Sequence, residues 1–263
     1  MELFYNLLPP LAFSASLMLV LWVEQCMNED ASVVDAAWAF CIGLATLYYC
    51  FSVDAPLVRK LVIGGLAVIW SSRLTYYLLV DRVIGKAEDG RYRALREHWG
   101  ERANLYHFFF FQAQSLLAVF LSATFLILLN NPTPHITVGE WAAVLLWIVA
   151  LTGEIIADSQ LAKFRANPIN KGQTCNIGLW KFSRHPNYFF EWLLWVSYAI
   201  AGVFGGSSYG FLTLIPAVVM YIFVTRISGI PYTELQAVKS RGESYRRYQS
   251  QTNAFFPWFP KEA

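Results

Sequence analysis

Residues Phe108–Leu129 read FFFFQAQSLLAVFLSATFLILL, a run with no charged side chain. A helix needs about 20 mainly apolar residues to cross the hydrocarbon core of a bilayer, and this run meets that length. Six further runs meet it on either side: Leu3–Val23, Val33–Ser52, Leu61–Val80, Trp141–Leu161, Tyr188–Gly206 and Gly210–Ile227. The composition agrees. Of 263 residues, 56% are hydrophobic and only 14% are charged, against roughly 25% charged in a soluble domain. The chain is therefore read as an all-α integral membrane protein with seven transmembrane helices. A soluble enzyme, a disordered chain and a small disulfide scaffold are excluded. The first run is read as an uncleaved helix, because Glu2 precedes it, no basic residue does, and no small-x-small site follows.

Lysine and arginine placement orients the bundle. With the loops assigned to alternate sides, one side receives residues 24–32, 81–107, 162–187 and 228–263, and with them almost all of the basic residues. The other side holds only Arg59 and Lys60, apart from Arg73 and Arg226 in or at the edge of spans. Basic loops favour the cytoplasm, which places the C-terminus there and the N-terminus outside. With no repeat and no linker, residues 1–263 read as a single domain capped by the polar segments 81–107, 162–187 and 228–263. A net charge of +2 gives no argument for a nucleic-acid partner. The cysteines Cys26, Cys41, Cys50 and Cys175 form no CxxC pair and have no His at ligand spacing, so free thiols are expected and no metal site.

Charged side chains inside membrane helices cost a few kcal/mol each and commonly mark function. Here they are Asp35, Arg73, Glu154, Asp158 and Glu191, all in the half of their spans that faces the basic loops. Glu154 and Asp158 are four residues apart and share a helix face, which Arg165 continues. Asn187 and Glu191 repeat that spacing at the start of a helix introduced by Ser183-Arg184-His185-Pro186. Pro186 suits the first turn, and the free N–H groups of that turn, with Arg184 and His185 beside them, make an anion-binding corner. Trp70, Arg73 and Tyr77 line one face of the third span. Basic loops over acidic helix ends suit a ligand with phosphates at one end and hydroxyls or amides at the other.

The fifth-span stretch Gly153–Asp158, then Arg165, Gly178-Leu179-Trp180, Ser183–Tyr188 and Glu191, resembles the C-terminal half of steroid 5α-reductases. Asp35-Ala36-Ala37-Trp38, Glu88-Asp89-Gly90-Arg91-Tyr92 and Glu243–Tyr248 extend the likeness to that family's bacterial branch, over roughly residues 30 to 260. The resemblance implies a seven-helix reductase of a bacterial inner membrane. It would use NADPH to saturate the Δ4 bond of a 3-oxo steroid or a lipid-like enone entering from the bilayer. It also implies cofactor contacts at Arg91, Glu154, Asp158, Arg165, Arg184, His185, Asn187, Tyr188, Glu191, Tyr245 and Arg246, and substrate contacts at Trp38, Trp70 and Arg73. Glu154 stands where the family usually carries Asn, and Trp70 where it carries a tyrosine. Hydride would pass to C5 and a proton to C4, with a neutral Asp35, helped by Tyr76 or Tyr77, stabilising charge on the 3-oxo oxygen. Membrane lipids are the expected surroundings and a monomer the expected state. The rival is a membrane methyltransferase of the isoprenylcysteine or phospholipid type using S-adenosylmethionine, which Arg184–Tyr188 and the tail residues Glu234, Glu243 and Tyr245 also resemble. The arginine cover (Arg91, Arg165, Arg184, Arg246) favours the phosphate-rich cofactor.

Overall fold

The protein is described by a computed structural model covering residues 5–261. Glu2, Leu3 and Phe4 of the expected first span and its flank lie outside the described residues, as do the last two residues of the tail. Every described regular element is helical, and each of the seven expected runs overlaps a helix, the first from Leu8 onward and the sixth as far as Phe204. The run Val33–Ser52 coincides with its helix from end to end. The chain packs as two compact units.

The first unit comprises residues 5–136 with Gly206–Tyr209. It contains α1 (Leu8–Asn28), α2 (Val33–Ser52), α3 (Leu57–Val83), α4 (Gly90–Trp99) and α5 (Ala103–Leu129). α5 packs on α1 and α2, and α3 on α2. Lipid tails compete with apolar side chains, so membrane helices are joined by close backbone approach and by hydroxyl pairs. Ser14 Oγ meets Ser115 Oγ at 2.7 Å and Tyr49 Oη meets Ser122 Oγ at 3.0 Å. Ser71 Oγ donates to the Ala39 carbonyl at 2.7 Å beside Gly43, where a Cβ would collide with that hydroxyl. α3 widens to π-helix at Lys60–Gly64 and Leu79–Val83, just after Arg59 and just before the charged loop.

The second unit comprises Thr137–Gly205 with residues 210–261. Its elements are α6 (Val138–Ala166), α7 (Pro186–Phe204), α8 (residues 210–227), α9 (Ile230–Arg241) and α10 (Glu243–Gln251). Thr137 and Glu140 form a capping box that starts α6: the Thr137 hydroxyl accepts from Glu140 N–H at 3.2 Å and the Glu140 carboxylate accepts from Thr137 N–H at 2.8 Å. α6 and α7 pack along much of their length. Gly153 lets the ring of Phe190 lie on the α6 backbone, and Trp147 donates to the Tyr198 hydroxyl at 2.7 Å. At Ser228 and Gly229 the backbone leaves helical values, so α8 ends and the polar α9 begins.

Six helical segments are long and apolar enough to cross a membrane, those containing α1, α2, α3, α5, α6 and α8. The expected sixth run, now α7, is not among them. Its 19 residues carry Asn187, Glu191, Ser197 and Tyr198 on or beside the buried face, so it gains protein contacts at the expense of mean apolarity.

Arg59 is fully buried and holds the α5–α6 loop. It donates to the carbonyls of Asn131 (3.1 Å), Thr133 (2.5 Å) and His135 (2.8 Å) and to the Thr133 hydroxyl (2.7 Å). Arg59→Met keeps the stem and removes these donors. A buried group left without its partner costs about 1–3 kcal/mol, so the detergent-solubilised variant is expected to melt several degrees lower, with Arg59→Lys between the two. Unchanged melting of both would show that the loop is held otherwise.

Candidate functional site

In the first unit two of the quoted motifs interlock. Asp35, in the first turn of α2, accepts from Arg91 Nη2 at 2.5 Å, Arg82 Nη1 at 3.3 Å and Tyr92 Oη at 2.6 Å. Asp89 caps α4 by accepting from Arg91 N–H at 2.9 Å, and its carboxylate also takes Arg91 Nε and Nη2 at 3.1 and 3.0 Å. Burial pushes the Asp89 carboxyl up, but the Arg91 hydrogen bonds outweigh it and hold the group below its ordinary value. Ser32 Oγ accepts from Asp89 N–H at 2.8 Å. One shell out, Glu88 Oε1 accepts from Arg96 at 2.9 Å and from the Ala31 N–H at 3.1 Å. Three carboxylates thus meet three guanidiniums across the start of α2 and the loop before α4.

This knot changes two expected roles. Arg91 is committed to Asp35 and Asp89 rather than presented to a phosphate. Asp35 accepts from three donors through both oxygens, a setting that fits an acceptor and not the neutral acid expected of it. On α3, Trp70 is fully buried and Arg73 lies 5.7 Å from the Tyr77 ring, so the expected Trp70–Arg73–Tyr77 face exists. Tyr76 points away from it and is 70% exposed. Trp38 packs beside the core of Met18, Val34 and Phe111. Its buried indole N–H meets no acceptor among the described residues.

In the second unit the acidic residues expected at a cofactor do come together. Glu154 and Asp158 are 4% and 6% exposed on α6, and Glu191 is 9% exposed on α7. Asn187 Nδ2 donates to Asp158 Oδ1 at 3.2 Å, bridging the two helices, while Asn187 Oδ1 is buried and meets no donor among the described residues. Glu191 accepts from Trp195 Nε1 at 3.1 Å.

The expected anion corner at the start of α7 already faces an anion, and that anion is Glu234. Arg184 Nε approaches Glu234 Oε1 at 2.6 Å and His185 Nε2 at 3.3 Å, while Gln249 donates to Oε2 at 2.8 Å. Arg184 also donates to the carbonyls of Gln249 and Thr252. Tyr245 is buried, with its hydroxyl 3.5 Å from Glu234, and Tyr188 stacks on the His185 ring at 5.5 Å. These contacts staple the C-terminal segment to α7. Arg246 is 63% exposed and faces only Glu243, at 3.5 Å. Arg165 lies in the last turn of α6, apart from this node, beside a small cavity of its own. Sequence reading gave no role to Tyr92, and it treated Glu234 only as part of an acidic tail. Their partners lie 57 and about 50 residues away along the chain, which no local pattern reports.

Residues 21–252 match a family described as protein of unknown function (DUF1295). The chain belongs to the DUF1295 family. Both the charged knot and the Glu234 node fall inside the DUF1295 match. The uncharacterized protein C594.04c of Schizosaccharomyces pombe is 25% identical over 266 residues, which cover 90% of this chain and 76% of that protein. No solved structure matches.

Burial pushes the Glu234 carboxyl up, but hydrogen bonds from His185 and Arg184 dominate and bring it down to about 2. Such a group stabilises the fold above its ordinary value of 4.5 and loses that contribution as pH falls toward 2. Trypsin cleavage at Lys239 and Arg241 or tryptophan emission, followed after incubation between pH 6 and pH 2, should therefore show the C-terminal segment loosening as pH falls. Glu234→Gln should be loosened already at pH 6 and change little below it. An identical pH profile in both proteins would remove Glu234 from this role.

Proposed function

We propose that this chain is an NADPH-dependent membrane oxidoreductase that reduces the C=C bond of an apolar enone, with a 3-oxo-Δ4 steroid as the reference substrate. The observation that carries the reading is the α6–α7 acid–amide set. Asp158 orients Asn187, whose Oδ1 stays buried and without a donor, and Glu154 and Glu191 flank them. A buried acceptor without a partner calls for a ligand donor. A carboxamide N–H supplies one, and carboxylates suit ribose hydroxyls, so these residues fit a nicotinamide nucleotide. That group, when bound, supplies the hydride.

The rest of the chemistry falls to the chain's own side chains. Reduction of an enone puts negative charge on its oxygen, which a donor held in a dry site stabilises. Trp38, a substrate contact implied by the resemblance, carries such a donor, an indole N–H that meets no acceptor among the described residues. An indole does not release its proton, so the proton that reaches the α-carbon comes from another source, and Tyr77, held near Arg73, is our candidate. In this reading Asp35 and Arg91 act as positioning residues, fixing Tyr92 and the loop before α4. We also read α7 as a seventh span, which puts the N-terminus outside and the C-terminus in the cytoplasm.

A second reading has its own support. Three of the four arginines that favoured a phosphate-rich cofactor (Arg91, Arg184 and Arg246) face carboxylates of the protein. The buried acids Glu154, Asp158 and Glu191 would suit the positive charges of S-adenosylmethionine. Calorimetric titration of the detergent-purified protein separates the two. The reductase reading expects micromolar binding of NADPH, weakened about tenfold in Asn187→Ala, a loss of ~1.4 kcal/mol and near the net worth of one hydrogen bond. It expects no binding of S-adenosylmethionine. Trp38→Phe should leave NADPH affinity unchanged and lower enone-dependent NADPH oxidation. Binding of S-adenosylmethionine alone would overturn the reductase reading.

A further inference from the structure

Past the end of α6 the chain doubles back through residues 167–177. Gly172 adopts φ +80°, a conformation that favours glycine. Asn170 Nδ2 donates to the Phe164 carbonyl at 2.9 Å and Gln173 Nε2 to the Ile169 carbonyl at 3.0 Å, so the fold-back is fixed by its own side chains. It borders a half-open cavity of about 130 Å³ lined by three cations: exposed Arg165 from α6, exposed Lys171 from the fold-back and half-buried Arg241 from the last turn of α9. No Asp or Glu lines this cavity, and none of the three cations has a carboxylate partner among the described residues. This sets them apart from Arg82, Arg91, Arg96, Arg184 and Arg246, each of which faces a carboxylate.

Cations at helix C-termini are favourable by themselves, which accounts for Arg165 and Arg241 singly. It does not account for their convergence with Lys171. Burial and the neighbouring Arg165 charge both lower Arg241 below its ordinary value. Like charges held together around a cavity leave the protein with an unfavourable term that a bound anion removes. A second cavity of about 520 Å³ shares Gln173 with the first and is lined by Thr174, Asn176, Ser244 and Gln251 together with Glu243, Arg247 and Tyr248, so the surroundings are polar and carry charges of both signs.

We propose that Lys171 and Arg241, with Arg165, form a binding site for a phosphate monoester. Three positive charges match the dianion of a monoester better than the single charge of a diester. The site is filled by the phosphate of a soluble nucleotide or of a lipid headgroup, which share this chemistry. Lys171 and Arg241 belong to none of the positions on which the reductase reading rests, and phosphate binding does not require that reading to hold.

Cys175 gives a readout independent of turnover, because its buried thiol lines the same cavity. In a full-length protein with Cys26, Cys41 and Cys50 replaced by Ala, the rate of Cys175 alkylation by N-ethylmaleimide is followed against added phosphate compounds, alongside the melting temperature. A site that covers the thiol slows alkylation about tenfold at ten times Kd and raises melting. Adenosine 2′,5′-bisphosphate protecting in lipid-free detergent assigns a nucleotide source. Protection confined to nanodiscs containing phosphatidic acid, and absent with phosphatidylcholine, assigns a headgroup source. In either case Lys171→Gln and Arg241→Gln should lose the protection and the melting shift, and Arg241→Lys should keep part of both. If inorganic phosphate, the bisphosphate and phosphatidic acid change neither alkylation nor melting, the proposal fails. It fails equally if they act on Arg241→Gln as on the parent. A protein that binds these ligands yet oxidises no NADPH keeps the phosphate site and loses the reductase reading.

Discussion

Lipid cannot solvate a guanidinium or a carboxylate, so a chain with this many apolar helices must match its charges internally or keep them at helix ends. The Asp35–Arg91 contact shows the rule at its strictest. One carboxylate in the first turn of α2 accepts from Arg91, Arg82 and Tyr92, and Arg91 in turn clamps Asp89, the cap of α4. Removing Arg91 would leave Asp35 to Arg82 and Tyr92, and removing Asp35 would leave Arg91 to Asp89, so either change weakens a partly buried network. The start of α2 and the loop before α4 are thereby fixed to each other. The same logic governs Arg59 of α3, which holds the α5–α6 loop, and Glu234 in the second unit, where one carboxylate gathers Arg184, His185 and Gln249.

Where the half-buried charges around Asp35 and Glu234 are matched within the protein, the unmatched groups carry information. Trp38 Nε1 and Asn187 Oδ1 are a donor and an acceptor buried without a counterpart. Arg165, Lys171 and Arg241 are cations gathered around a cavity without an acid. Native proteins leave few buried polar groups unmatched, and none of these three features takes part in the ion pairs at Asp35 and Glu234. They are the places where a ligand would complete the hydrogen bonding, and the proposed roles follow from that.

Much of the helical layout was legible in the sequence because it depends on local composition. The apolar run Val33–Ser52 follows Asp30 and Ser32 and gives way to Asp54 and Pro56, and its helix has the same limits. The i,i+4 spacing of Glu154 and Asp158, and the Asn187–Glu191 pair after Pro186, placed those groups on facing helices. The pairing of charges was not legible. Glu88–Tyr92 stood out as a motif, but its partner Asp35 lies more than fifty residues earlier, and nothing local says that Arg91 turns to a carboxylate rather than to a phosphate. The corner at His185 was expected to hold the anion of a ligand, whereas in the structure Arg184 and His185 face the carboxylate of Glu234. α7 was read as a span in spite of Asn187 and Glu191, and it is not among the six helices long and apolar enough to cross a membrane.

The account rests on one claim above the others, that the chain delivers a hydride to an apolar acceptor. The most direct measurement is isotope tracing. The detergent-purified protein is incubated with NADPH carrying two deuterium atoms at the nicotinamide C4, a 3-oxo-Δ4 steroid and an extract of membrane lipids, and the products are analysed by mass spectrometry. The account predicts one deuterium on the β-carbon of a saturated ketone product, with none at the α-carbon, whose proton comes from Tyr77, a hydroxyl that exchanges with water. Deuterium absent from every product, together with transfer of a labelled methyl group from S-adenosylmethionine to a lipid, would contradict it.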